Sequence, residues 1–334
     1  MCSDLLALGG DLGGTSTRIL VVDGNGRVHG QSTAGGGNPI SRPADAAAAF
    51  GEALNTALAG VDAGRVSASA IGVAGGSALR RPRAAAQFER VWSAAGLTCD
   101  PGYRPDLEVA FAAGTPEPDG AVLVAGTGAA AGAVTDHQLT RTADGHGWLL
   151  GDDGSGYWLG REAVRAALRT LDAGEVPGRL VSSVLRELNS DAPVGDCVDT
   201  SSPSRPGFDR QREGVIQAVY SRPGIHLSAL APLVSAAYRG GDPQATSIVE
   251  RAATSLLATL RLIRAEDEGT PVVLAGSLAG DASPVGVVLR RLFEGRFAGP
   301  VLSARTGAGG AAWLALAALD PDLASPEVHA RLCA

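Results

Sequence analysis

Apolar positions in the first hundred residues fall into short runs broken by glycine. LLALGGD (5–11) and TRILVVD (17–23) read as strands joined by the turn LGGTS. A second turn, GNG (24–26), leads into RVHGQST, so the opening predicts an antiparallel meander. Residues 43–60, PADAAAAFGEALNTALAG, start on proline and carry helix formers. SASAIGVAGG (67–76) reads as a buried strand ending in glycines, and 81–95 as a helix. The β-β-β-α-β-α order predicts a mixed sheet with helices packed on it.

The pattern then restarts. GAVLVAGTGAAAGAVTD (120–136) is an apolar strand, a GTG turn and another strand, with HQLTRT as a third. Together with LALGGDLGGTSTRILVVD near the start, it suggests an internal duplication. A largely helical region covers about 156–266, with SPSRPGF (202–208) read as a loop inside it. TPVVLAGSLAG (270–280) is a further buried strand, SPVGVVLRRLFEG a helix behind it, and GPVLSA a last strand. TGAGGAAWLALAAL (306–319) is an alanine-rich helix. The expected division is 1–118 plus 307–334 as a smaller unit and 119–306 as a larger one, with no low-complexity linker between them.

Composition narrows the classes. The 334 residues suffice for about two domains. With 45% hydrophobic and 19% charged residues the chain can bury a core. A net charge of −7 argues against nucleic-acid or anionic-membrane binding. All 28 basic residues are arginine, so a phosphate-gripping lysine of the Walker type is excluded. Cys2, Cys99, Cys197 and Cys333 lie far apart without metal-ligand spacing and read as reduced thiols. The amino terminus lacks a basic n-region and no apolar window reaches transmembrane length, so a cytoplasmic protein is expected.

Several chemistries fall away. There is no GxSxG elbow and no HExxH, and the glycine turns lie between two strands rather than between strand and helix. What remains is DLGGTS (11–16) and GTGA (126–129), whose backbone N–H groups can form anion-binding nests. Asp11 at the first turn would repel a phosphate unless Mg²⁺ bridges the two; otherwise it is a turn-forming aspartate. The stretch DGHGWLLGDDGSGYWLG (144–160), rich in glycine, acid and tryptophan, is poor helix or strand material.

In GGDLGGTSTRILVVDGNGRVHG, the GTG turn, HGWLLGDDGSGYWLGREAV and VVLAGSLAG, the chain resembles the N-acetylglucosamine kinase and BadF/BadG-type ATPase family, of the sugar kinase and actin superfamily. The likeness runs in the same order from about residue 8 to about 318. It implies an α/β fold of two ribonuclease-H-like, actin-like ATPase domains flanking an ATP and sugar cleft. Carried over by position, Asp11 would hold Mg²⁺. Gly13, Gly14 and Thr15 would face Gly126, Thr127 and Gly128 across the ATP phosphates. Gly276 and Ser277 would lie against adenosine. Asn38, Thr127, Gly145, His146 and Asp152 would contact the sugar, and Asp106 would act as catalytic base. From the residues alone Asp106 cannot be chosen over Asp100, and Asp106 also reads as the N-cap of the helix that follows.

The chain departs from the family pattern at Ala129, Asp153, Leu12 and the His146/Trp148 pair, which cluster near the expected sugar pocket. Trp158 reads as core, and Asp153 as a brace for the loop. The resemblance implies an ATP- and Mg²⁺-dependent kinase acting on the 6-hydroxyl of an amino sugar, N-acetylglucosamine or glucosamine, and a homodimer. The alternatives are an activator-type ATPase of the same family or a non-catalytic sugar-sensing relative.

Overall fold

The computed structural model describes residues 5–40, 43–188 and 206–334. Three strands open the chain, β1 (Leu6–Leu12), β2 (Thr17–Asp23) and β3 (Val28–Ala34), paired as an antiparallel meander. Helix α1 (Pro43–Ala57) follows, then β4 (Val66–Val73), α2 (Pro82–Ala94), β5 (Tyr103–Pro105) and α3 (Asp106–Ala112). The sheet order is β3-β2-β1-β4-β5, with β4 parallel to both β1 and β5.

The chain then repeats this plan. β6 (Gly120–Ala125), β7 (Ala129–Thr135) and β8 (Gln138–Asp144) form a second meander. β9 (Val272–Ala275) and β10 (Val301–Ser303) add parallel neighbours, so this sheet runs β10-β9-β6-β7-β8. Read from its outer meander strand inward, it has the strand order and directions of the first. The duplication expected from the two strand–glycine–strand units is therefore present in the topology. Between β8 and β9 lie α4 (Gly156–Ala173), α5 (Arg179–Leu188), α6 (Pro206–Tyr220), α7 (Ala231–Arg239) and α8 (Pro243–Arg261). α9 (Pro284–Phe293) joins β9 to β10, and α10 (Gly307–Leu319) and α11 (Pro326–Cys333) end the chain.

Local chemistry explains many of these boundaries. Ser155 caps α4 by accepting from the Trp158 N–H at 3.2 Å, and Asp242 caps α8 by accepting from Gln244 and Ala245 N–H. Part of the expected 202–208 loop, residues 202–205, lies outside the described residues. Pro206–Phe208 instead open α6, as proline suits a first helical turn. Asp106 is the first residue of α3, with Pro105 at the N-cap, so the expected cap role moves back one residue.

Packing places two helices at the junction. On one face of the first sheet Leu6, Leu8 and Ile19 pack against Phe50, Phe88 and Trp92 of α1 and α2. On the other, Ala7, Val22 and Ala70 meet Ala311–Leu316 of α10. α10 is buried from Ala308 to Leu316 and apolar all round, as a helix enclosed on every side must be. α3 is shared. Its Val109 and Ala112 pack with α10, while Leu107 and Phe111 pack with Val122, Val134 and Val273 of the second sheet. The amino end of α3, bearing Asp106, is thereby held between both halves.

Candidate active site

The two glycine turns end the central strands β1 and β6. In the first, the Gly13 N–H donates to the Ser16 carbonyl at 2.9 Å, and the Gly13 carbonyl accepts from the Gly37 N–H at 2.9 Å. In the second, the Gly126 N–H donates to the Gly128 carbonyl at 2.9 Å. Gly13 and Gly126 thus spend their N–H groups shaping their turns. Any N–H groups the turns offer to a phosphate therefore come from their other residues, such as Gly14, Thr15, Thr127 and Gly128. The turn at 126–128 is also pinned to α4: Gly156 N–H donates to the Gly126 carbonyl at 2.8 Å, and Tyr157 N–H to the Thr127 carbonyl at 3.1 Å.

Gly14 and Thr15 from the first half, with Gly126 and Thr127 from the second, line a cavity of about 680 Å³. Its far end is formed by Ser235, Arg239, Ser277, Leu278, Ser283 and Pro284. That volume lies within the range of sites that enclose a small organic ligand. Gly276 takes a left-handed φ of 88° beside Ala125, letting the 276–280 turn follow β6 closely, and Leu278 N–H bonds the Ala125 carbonyl at 2.9 Å. Ser283 Oγ is buried without a hydrogen-bond partner among the described residues, a group a bound ligand can satisfy. Arg239 donates to the Ala282 carbonyl at 2.9 Å and shapes that wall. Nothing in the apolar pattern singles out Arg239, on α7, or Ser283, before α9, because they reach the cavity only through packing.

Asp11, Asp106, Asn38 and Asp152 lie outside this lining, toward the meander ends. Asp11 stands at the end of β1, opposite Arg18 across the β1–β2 ladder. Burial raises its carboxyl from an ordinary 3.8 to about 6. The Asp106 charge adds to the rise and Arg18 opposes it. Burial likewise raises Asp106, against the lowering effect of N–H groups at the start of α3. The structure therefore brings together two carboxylates 95 residues apart. Gly307, opening α10, lies so close that a side chain there would stand 2.5 Å from Asp11 Oδ2. The helix start thus presents its positive end to this acid.

This donor set fits Mg²⁺. Two crowded carboxylates of like charge are stabilised by a hard dication, and Mg²⁺ is commonly held by one or two carboxylates with water and phosphate supplying the rest. Among the described residues no three His, Cys, Asp or Glu side chains gather in a metal-binding group.

Asn38 sits in the loop that Gly37 ties to the first turn, and its Oδ1 accepts from the Ile40 N–H at 2.9 Å. Asp152 is buried and sits beside the second turn, its Oδ1 accepting from the Ala129 N–H at 3.0 Å. Burial raises its carboxyl, with Asp144 and Asp153 adding to the rise and Ala129 and His146 opposing it. Gly145 N–H bonds the Ala129 carbonyl at 3.1 Å, closing the loop against the same turn. His146 is exposed. Trp148 packs over Tyr157 at 5.3 Å, and Trp158 is buried under Arg251 at 5.2 Å. Asp153 is exposed, its carboxylate 4.0 Å from Arg161. The residue bracing the loop is Asp144, which sequence reasoning missed; an aspartate ending a strand just before glycine was its one visible signal. Burial raises the thiols of Cys99 and Cys333, the latter to about 12, which keeps both protonated.

Comparison with known proteins finds relatives of the same fold. A 161-residue segment is 27% identical to the N-acetylmuramic acid/N-acetylglucosamine kinase of Clostridium acetobutylicum, covering 47% of this chain. The match spans 46% of that relative, so the chain covers about half the length of the curated protein. The fold is similar to that of a candidate N-acetylglucosamine kinase from Chromobacterium violaceum, with a TM-score of 0.72, 24% identity and coverage of 93% of this chain and 99% of that one. It is also similar to a ROK family glucokinase from Streptomyces griseus solved with glucose and AMPPNP, with a TM-score of 0.56, 21% identity and coverage of 95% and 99%. The model of the BadF/BadG/BcrA/BcrD ATPase family matches residues 8–315, and the chain belongs to that family.

Proposed function

We propose that this protein is an ATP- and Mg²⁺-dependent kinase that transfers the γ-phosphate to the 6-hydroxyl of an amino sugar, N-acetylglucosamine or glucosamine. The observation that carries the reading is the pairing of two backbone turns across one cavity, with Asp152 buried beside the second turn and Asp106 set against Asp11 at the end of β1. In this reading Gly14, Thr15, Thr127 and Gly128 meet the phosphates, and Ser277 and Ser283 the nucleoside. Asp11 holds Mg²⁺, which when bound neutralises charge on the phosphates. The proposed unit boundaries are at about 118 and 307, with α10 assigned to the first unit because it packs on the first sheet.

Phosphoryl transfer asks the protein mainly to position the reactants and neutralise charge. Asp106 accepts the proton of the attacking hydroxyl, a role that contributes about 10²–10⁴-fold in rate. Burial raises its pKa above that of an exposed aspartate, which makes the carboxylate a stronger base. Asp152 and Asn38 orient the sugar by accepting and donating hydrogen bonds to its hydroxyls. Closure of the halves about α3 and α10 would bring the turns together and exclude water. A homodimer in the cytoplasm completes the proposal.

The test is ADP release over N-acetylglucosamine, glucosamine, N-acetylmuramate, N-acetylmannosamine and glucose. Stimulation by an amino sugar supports the reading, with the product's phosphate position read by NMR. No stimulation by any of the five sinks it.

A further inference from the structure

The loop from Gly145 to Asp153 leaves β8 and returns so that Asp152 meets the 126–128 turn. It does so with two non-glycine residues in left-handed backbone, Asp144 at φ 61° and Asp152 at φ 60°. Such conformers persist where the surroundings over-determine them. Here one carboxylate supplies the constraint. Asp144 Oδ1 accepts from the Asp152 N–H at 2.9 Å and from the His146 N–H at 3.4 Å, while Oδ2 accepts from the Asp153 N–H at 3.2 Å. The loop is drawn tight around these oxygens: a side chain on Gly151 would lie 2.1 Å from Asp144 Oδ1.

The constraint passes directly to Asp152. Its backbone is fixed by Asp144 and its Oδ1 by the Ala129 N–H at 3.0 Å. That leaves Oδ2 with its direction set. The outer side of the loop is held separately, by Trp148 against Tyr157. Leu149 and Leu150 at the tip remain 73% and 78% exposed, so the tip contributes little to holding the base.

We propose that Asp144 is a positioning residue for the sugar: its carboxylate ties both ends of the 145–153 loop and thereby aims the Asp152 carboxylate at the bound substrate. The proposal rests on the sugar-kinase reading of the site given above. Asp144 touches neither substrate nor phosphate and acts through Asp152 alone. It therefore predicts an effect on the sugar and none on the nucleotide.

Two variants separate the parts of this role. Asp144→Asn keeps a residue type that tolerates left-handed backbone and keeps the Oδ1 acceptor, losing only Oδ2. Asp144→Gly tolerates the backbone and loses every acceptor. Hydrogen bonds to charged groups are strong enough that Asp144→Gly should raise the sugar KM about tenfold or more. Its ATP KM should stay within about twofold of wild type, and Asp144→Asn should stay within about threefold for both. In an Asp152→Asn background, Asp144→Gly should add less than about twofold, because residues acting as one unit are not additive. Independently of catalysis, hydrogen exchange in a peptide spanning 145–153 should accelerate about tenfold in Asp144→Gly. A wild-type sugar KM in that variant overturns the proposal. So does an undiminished effect in the Asp152→Asn background, or an equal rise in both KM values. Should wild type phosphorylate no sugar, the kinase reading fails on its own, and unchanged exchange in Asp144→Gly is then the result that removes the clamp.

Discussion

Replacing Asp106 by asparagine keeps shape and removes one charge at the helix start held between both sheets. Two consequences of opposite sign follow. Loss of the base should lower kcat by about 10²–10⁴-fold, with ATP binding intact. Stability should rise. The shift of Asp11 from 3.8 to about 6 corresponds to about 3 kcal/mol of differential interaction, and burial is its larger cause. The part owed to Asp106 is the smaller one, and relieving it should raise Tm of the metal-free protein by about 2 °C. The sign follows from linkage. A carboxyl whose pKa is raised in the folded state contributes stability when protonated and loses it as pH rises through the folded pKa. The gain in Asp106→Asn should therefore be present at pH 7–8 and shrink as pH falls toward 4, because burial raises the pKa of both carboxyls. Differential scanning calorimetry across that range, in EDTA, reads the second effect, and coupled ADP release reads the first. A variant with near wild-type turnover, or with lower Tm at pH 7.5, would refute the reasoning.

Three further outcomes are expected. Gly307→Ala places a methyl carbon 2.5 Å from Asp11 Oδ2, so kcat should fall tenfold or more; unchanged steady-state kinetics would count against the contact. Ser283→Ala removes a buried hydroxyl without a described protein partner, so thermal stability of the free protein should hold or rise while nucleotide Kd, by calorimetry, weakens severalfold. His329 lies buried on α11 with Nε2 donating to the Ala112 carbonyl at 2.7 Å, and burial lowers its pKa. A histidine kept neutral in the fold costs stability once the unfolded chain takes up protons, so wild-type Tm should drop as pH falls below about 6.5. His329→Gln, which keeps a donor, should flatten that slope; an identical slope would exclude His329 as a source.

Much of the architecture was legible because strands, turns and caps are set by near neighbours. Apolar runs ending in glycine located β1, β2, β4, β6 and β9, and the repeated strand–turn–strand unit anticipated two sheets of one topology. Proline at 206 was read as a loop because proline marks both loops and first helical turns, and only packing tells them apart. Glycine and threonine in a turn suggest phosphate contact, yet which N–H groups remain to face it depends on bonds inside the turn, as at Gly13 and Gly126.

The sequence by itself thus determined the elements, their duplication and the residue types able to serve an ATP and sugar cleft. Tertiary structure decided the rest. It set Asp106 beside Asp11 through a helix wedged between sheets, brought Gly307 onto that pair from the far end of the chain, and wrapped the 145–153 loop around Asp144. The physical reason is range. Periodicity and turn chemistry act over a few residues, whereas the charge, burial and orientation of a functional group also depend on groups far along the chain, such as Asp11, Asp106 and Gly307, which converge only when the core packs.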